Sequence, residues 1–358
     1  MPELSKAGSF SSGICFRTSA TNGSKLIAGK RFAEGEKAQL LLPQGKFQEI
    51  LMRKIKAAKD DADLRLGSRI TGFSQTDGSV EVQIMSEDGN EEVVQAEYVV
   101  GADGAKSTVR KTMGLRFDGD TLPNQLVATD IEYDFHKYGF YDANFIIDAE
   151  NYGLIGRITN DGLWRVSYGV PNSVSDEQLR QKAEDTIKRM LPDEGKSGFR
   201  IKRIAPYKAQ QLCVDTFWSG RVGVCGDAAH CKSHAIIPQD NSPIGSLLKV
   251  TNPYAGLGLA SGIADASSLA EVLVRILTQK AADPETLLVS WSQARRHKFM
   301  TVIDKPSRMA YNRVKKNVDT DEEIEALLAG DPIVGALKKG MPVTPPPIET
   351  RGEDLSGW

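Results

Sequence analysis

Two short stretches concentrate the residues able to do chemistry. Val224–His234, VCGDAAHCKSH, gathers Cys225, Asp227, His230, Cys231 and His234 into eleven residues. Thiolate and imidazole are the ligands zinc prefers in tetrahedral sites. The spacing opposes that use, because structural zinc motifs join two short ligand pairs across a loop, whereas His230 and Cys231 are adjacent. Cys225 ends an apolar run, where a free cysteine behaves as a small hydrophobe. No metal site is expected. The second stretch, Gly101-Ala-Asp-Gly-Ala-Lys-Ser-Thr-Val-Arg110, comes after an apolar run and leads into a helix. That puts Asp103 and Gly104 in a strand-to-helix turn of the kind that meets phosphates.

Asp227 gains meaning from its neighbours on both sides. An apolar strand, Arg221–Cys225, would deliver its carboxylate at the strand's C-terminal end, where open α/β sheets bind ligands, and a carboxylate can hold sugar hydroxyls. Farther on, Pro253-Tyr-Ala-Gly256-Leu257-Gly258-Leu259 opens a helix. Its glycines let backbone N–H groups approach a ligand, and the helix's positive end would stabilise negative charge there. Each piece also has a plainer reading, since a Gly-x-Gly before a helix serves equally as a tight turn or cap.

The elements that must position these residues are set by periodicity. Phe47, Ile50, Leu51 and Ile55 mark one face of a helix ending near Lys59. Three strands, 68–73, 79–84 and 91–100, are separated by Asp-Gly turns and predict a β-meander whose last strand runs into Gly101. Residues 124–171 are extended and predict an antiparallel sheet, in which Arg165 and Tyr168 alternate with Trp164 and Val166. Ser175-Asp-Glu-Gln178 offers a capping box for a helix reaching Leu191. A further helix spans Gly262–Leu277, and the proline-containing end is expected to be irregular or mobile. The expected organisation is α/β: residues 1–115, 116–215 (the antiparallel unit), 216–330 and a tail, 331–358.

Composition narrows the function classes. The chain has 358 residues, 40% hydrophobic and 26% charged, with a formal charge of -2, which gives no field to hold nucleic acid or anionic lipid. A small-molecule partner is expected, with no nucleic acid and no membrane span. Four cysteines are too few for a disulfide framework in a chain this long, and a reducing, cytoplasmic location is expected.

Together these residues resemble the FAD-dependent aromatic hydroxylases, the flavoprotein monooxygenases of the p-hydroxybenzoate hydroxylase type, and look closest to fungal secondary-metabolism members. Asp103, Gly104, Ser107, Val109 and Arg110 match one family fingerprint; Gly226–His230 with Pro253, Gly256, Gly258, Asp265 and Ala266 match another. The resemblance implies a p-hydroxybenzoate hydroxylase-like FAD-binding fold, here an incomplete parallel sheet plus the meander, with the antiparallel sheet facing substrate. It implies FAD as cofactor, with NADPH and O2 as co-substrates. Asp227 would bond the ribityl chain, backbone N–H groups around Gly258 and Leu259 would face the flavin's pyrimidine end, and Pro253, Gly256 and Leu257 would also belong to the cofactor site. Asp103 and Gly104 would lie by the pyrophosphate and the NADPH path, Arg110 would brace the local fold, and Gln44 would point toward the FAD phosphates, unless it only leads the helix. Arg165 and Tyr168 are weak candidates toward substrate, beside ordinary structural roles.

Two departures qualify the resemblance. No Gly-x-Gly-x-x-Gly occurs, so the first fingerprint is missing, and Met1 is expected to be an internal or mis-set start. Residues 231–249 separate Gly-Asp-Ala-Ala-His from its Pro, where the family has only a few residues; they read as unspliced intron sequence, or else as a surface insertion. Weak or no FAD retention is therefore expected. Three functions stay open: a monooxygenase described by a partial chain, a pseudoenzyme without stable FAD, and a zinc-binding module. The substrate, the type of oxygenation and the oligomeric state are not legible.

Overall fold

A computed structural model describes residues 2–36, 38–59, 61–235, 254–278, 281–341, 344 and 346–358, with backbone only for 231–235. Its largest element is an eight-stranded sheet in the order His230–Ala235, Arg200–Val214, Phe117–Glu132, Leu163–Pro171, Gly153–Arg157, Ala143–Ile147, Gly13–Thr18, Leu26–Arg31. All neighbours are antiparallel except Ala143–Ile147 with Gly13–Thr18, which run parallel with Ala143 opposite Ile14. Thus two strands from the first 31 residues join the sheet expected of 116–215.

Because side chains alternate along a strand, the sheet buries two different faces. Val127, Ile131, Trp164, Val166 and Tyr168 pack against Leu179, Ile187 and Met190 of the helix Asp176–Met190. Ser175 caps that helix, accepting from the Gln178 N–H while Gln178 returns to the Ser175 backbone, the capping box its sequence specifies. On the opposite face, Leu126, Ala128, Tyr207 and Ala209 pack against Tyr254 and Tyr311.

A smaller sheet brings the two chemistry-bearing stretches side by side. Val222–Val224 lies parallel to Val99–Gly101, with Val224 opposite Gly101, and Trp218–Ser219 is added antiparallel. Val222 and Val224 are fully buried in a core shared with Leu269, Val272 and Trp291 of the helices Gly258–Leu277 and Pro284–Lys298. Burial on both sides explains why this strand reads as a continuous apolar run.

Three expectations change here. The meander strand ends at Ala96, and Val99–Gly101 is a separate strand. The Val99 N–H donates to the Arg221 carbonyl at 3.0 Å and the Tyr98 ring sits 5.9 Å from Trp218, so pairing with the 222–224 strand redirects the chain. The tail is partly ordered: Asp331 caps a helix, Pro332–Lys338, that buries Val334 and Leu337, and Leu355 enters the main core. Residues 231–235, the start of the segment expected to be intrusive, extend a strand paired with Tyr207–Cys213, while 236–249 lie outside the described residues. Among the described residues no helix is long and apolar enough to cross a membrane.

Candidate functional site

The parallel pair ends both strands at one edge of the small sheet, and each continues into a glycine turn. After Gly101 the chain turns through Gly104, at φ +80°, into the helix Thr108–Thr112. Asp103 is already occupied there: its Oδ2 accepts the Thr108 N–H at 2.7 Å and the Val109 N–H at 3.2 Å, and its Oδ1 accepts the Ser107 hydroxyl. Its carboxylate closes this helix start from within. Arg110 ties the turn to its neighbour, donating to the Ala228 carbonyl at 3.2 Å and the Ala105 carbonyl at 2.9 Å, with its guanidinium 3.8 Å over Phe117.

After Val224 the chain enters a single 3-10 turn, Gly226–Ala228, which holds Asp227 half-buried. Gly226 has φ +57°, a conformation only glycine adopts without strain. A second glycine, Gly262 on the helix Gly258–Leu277, faces that turn: a β-carbon on Gly262 would lie 3.4 Å from the Gly226 Cα, in ordinary van der Waals contact.

That 20-residue helix begins beside the turn, and its N-cap residue Leu257 supplies no side-chain acceptor. Among the described residues its first N–H groups have no side-chain cap, and they stand at the positive end of the helix dipole. Gly256, at φ +66°, is exposed, with nothing among the described residues within 4 Å of where a β-carbon would stand. Gly258 starts the helix, Leu257 is buried and Leu259 is 51% exposed. Asp227, Gly256, Gly258 and Leu259 are thus brought to one region. Gln44 is half-buried as the first residue of the helix Gln44–Ala57, and Pro253 lies outside the described residues.

The histidine and cysteines of VCGDAAHCKSH separate by role. Burial pushes the Cys225 thiol up to about 12, as it does that of Cys213 outside the stretch, so neither forms a thiolate near neutral pH. His230 is 3% exposed; its Nε2 lies 2.6 Å from Asp265 Oδ2, and its ring stacks on Phe299 at 5.0 Å. Asp265 was legible only as a fingerprint position, yet it is the centre of this cluster.

The sheet face toward Tyr254 carries a second cluster. Register puts Arg165 and Ser167 on the same face as Ala128, with Arg165 gripping Asp130 through two bonds of 2.7 and 3.0 Å. Tyr168 lies on the opposite face, buried against the 176–190 helix, so it is not brought together with Arg165. Sequence reasoning passed over the tyrosines of this cluster. Tyr152, Tyr254 and Tyr311 meet pairwise at ring distances of 6.1–6.2 Å, and Tyr207 is buried with them. The Tyr207 hydroxyl has no hydrogen-bond partner among the described residues. The available signal was alternation, which sets Tyr207 opposite Leu126 on the inner face.

Residues 12–235 match the model of the FAD binding domain family. The chain belongs to the FAD binding domain family. The para-nitrophenol 4-monooxygenase of Pseudomonas sp. (strain WBC-3) is 33% identical over 244 residues, 68% of this chain and 55% of that protein. The 6-hydroxy-3-succinoylpyridine 3-monooxygenase HspB of Pseudomonas putida (strain DSM 28022 / S16) is 30% identical over 265 residues, 74% and 61% of the two chains. The chain thus spans less than two thirds of these relatives' own length. The crystal structure of p-nitrophenol 4-monooxygenase PnpA from Pseudomonas putida DLL-E4 superposes with a TM-score of 0.80 at 26% identity, covering 94% of this chain and 81% of that one. The aromatic-hydroxylase resemblance read from Asp103–Arg110 and Gly226–His230 therefore holds at the level of family and fold.

The FAD binding domain's residues also fit the group physically. A half-buried carboxylate at a strand end suits the hydroxyls of a ribityl chain, and the uncapped helix start at Gly258 suits the electron-rich edge of a flavin.

Proposed function

We propose that this chain forms the flavin- and substrate-facing part of an FAD-dependent monooxygenase that uses NAD(P)H and O2 to oxygenate a small aromatic molecule. The observation that carries this reading is the convergence of Asp227 and the uncapped start of the Gly258–Leu277 helix at the C-terminal edge of the parallel pair. Asp227 would hold the ribityl hydroxyls, and the N–H groups at Gly258 and Leu259 would stabilise negative charge on the pyrimidine edge. Held there, FAD would supply the redox chemistry, electron acceptance from the nicotinamide and activation of oxygen.

The chain's own residues supply the enclosure. Tyr152, Tyr207, Tyr254 and Tyr311 line an apolar wall that excludes water, and the unpaired Tyr207 hydroxyl offers one hydrogen bond to a polar substituent. Arg165, neutralised by Asp130, keeps the sheet face in register beside it. The two relatives named above act on a nitrophenol and a hydroxypyridine, which supports a hydroxylated aromatic ring as substrate. A secondary-metabolite setting rests on the sequence resemblance, and a cytoplasmic one on the four cysteines.

Flavin binding tests the reading directly. Added FAD should change its fluorescence on mixing with the purified protein, and Asp227→Ala should weaken that response about tenfold, one charge-assisted hydrogen bond's worth. A protein that neither carries nor takes up flavin would overturn it.

A further inference from the structure

Asp265 lies in the helix that begins beside the flavin edge, yet it points away from solvent, with its side chain 1% exposed. Both of its oxygens are committed. Oδ1 accepts the Arg295 Nε–H at 2.7 Å; Oδ2 lies 2.6 Å from His230 Nε2 and accepts the Gly226 N–H at 3.0 Å. The last bond holds the N–H of a residue in the left-handed region, and the next residue is Asp227. The orientation of Asp227 is therefore set from behind, through Gly226.

Burial opposes ionisation of Asp265, and His230 and Arg295 outweigh it, holding the carboxyl below its usual range. It is a carboxylate, and His230 Nε2 donates to it. Arg295, with a fully buried side chain, continues outward: its second nitrogen donates to the Ile348 carbonyl at 2.6 Å and the Thr350 hydroxyl at 3.0 Å. Lys298 adds a bond of 2.9 Å to the Pro347 carbonyl. Residues 348–353 thus form a strap, bordering a cleft with Ala260, Ile263 and Ser267 on the first turns of the same helix.

We propose that Asp265, His230 and Arg295 are positioning residues that couple this C-terminal strap to the Gly226–Asp227 turn, so that docking of the strap and binding of flavin reinforce each other. The proposal rests on the flavin reading of that turn. The path is continuous: Ile348 carbonyl, Arg295, Asp265, Gly226 N–H, Asp227. Three steps are hydrogen bonds, the central Arg295–Asp265 one buried and its two neighbours part-buried, and the last is the Gly226–Asp227 peptide bond; unmaking the central bond leaves a buried partner unsatisfied. Coupling of two binding events is reciprocal, so each should be readable at the other end.

The exposed Arg351 makes the strap readable, since trypsin cuts after arginine. The experiment measures FAD affinity by fluorescence titration and, by mass spectrometry, the rate of tryptic cleavage after Arg351 with and without FAD. It compares wild type, Asp265→Asn, Arg295→Lys and Thr350→Val. Saturating FAD should slow cleavage at Arg351 about five- to tenfold in wild type, the size of an ordinary allosteric coupling. Asp265→Asn and Arg295→Lys should abolish that slowing and weaken FAD by the same factor, because the coupling they remove is shared by both readouts. Thr350→Val, remote from the flavin turn and the mildest change, should speed cleavage and weaken FAD in proportion. A merely structural role would lower thermal stability while leaving the FAD-induced slowing intact, and that outcome overturns the proposal. So do variants that free the strap while binding FAD within twofold of wild type. Wild-type protein that takes up no FAD overturns the flavin reading and the coupling with it, a result separate from variants that bind normally.

Discussion

Gly226 and Gly262 meet backbone to backbone: a β-carbon on Gly226 would lie 3.8 Å from the Gly262 Cα, and one on Gly262 3.4 Å from the Gly226 Cα. The space is similar for both, but the backbone is not. Gly226 sits at φ +57°, where an L side chain costs about 1–2 kcal/mol, whereas Gly262 is helical and an alanine there gains up to about 1 kcal/mol of propensity. Gly226→Ala should lower Tm by several degrees and weaken FAD binding, and Gly262→Ala should leave Tm unchanged or raised. Equal losses from the two, measured by thermal unfolding, would contradict this account of the turn.

Gly101 closes the neighbouring strand, and there the restriction is packing. A β-carbon at this position would come 2.7 Å from the Val109 Cβ, a contact real side chains do not make. Gly101→Ala should cost about 1–3 kcal/mol through overpacking, and Val109→Gly, which removes the β-carbon it would strike, should recover part of that loss in the double variant. Urea unfolding of the four proteins checks it: additive losses would mean that Val109 is not the obstacle.

Those glycines also mark what the sequence could disclose. Gly104, Gly226 and Gly256 all have positive φ, a local demand that a residue type records, and the turns around Asp103 and Asp227 were legible for that reason. The capping box at Ser175 was legible on the same terms. The cluster at Asp265 was not. Its partners stand 35 residues before it and 30 after it, on a strand and another helix, and only the packed core brings them together. The tyrosine wall was hidden likewise, because alternation specifies two faces without naming the inner one. For Arg165 and Tyr168, three positions apart, register decides it and puts them on opposite faces. The break at Glu97–Tyr98 needed a partner strand more than 120 residues away, Val222–Val224.

The separation of Arg165 from Tyr168 has a functional consequence. Arg165 holds Asp130 through a two-pronged contact on the face that carries Tyr207, and a lysine cannot reproduce that fork. Arg165→Lys should weaken binding of an aromatic probe such as para-nitrophenol about tenfold, as loosening of a charge-assisted bond predicts. Tyr168→Phe, on the far face, should leave probe affinity unchanged. Calorimetric titration of both variants decides the matter, and a larger loss for Tyr168→Phe would reverse the assignment of faces.

The acid limit of stability should trace to Asp142, whose side chain is 1% exposed beneath the start of the Ala143–Ile147 strand. Burial disfavours its charge, but bonds of 2.6 and 2.9 Å from Arg157, one of 2.6 Å from the Ser12 N–H and a contact of 2.9 Å with His136 outweigh it. The carboxyl is held at about 2, below its ordinary value of 3.8. A depressed carboxyl binds its proton more readily in the unfolded chain, so its stabilisation is complete above pH 4 and is lost as the pH falls toward 2. The stabilisation is on the order of 2 kcal/mol by that linkage. Asp142→Asn should therefore destabilise the protein at neutral pH while flattening its acid unfolding curve between about pH 4 and pH 2. Circular dichroism at fixed temperature across that range measures it. An Asn variant whose stability falls as steeply with acid as the wild type would place the sensitive carboxylate elsewhere.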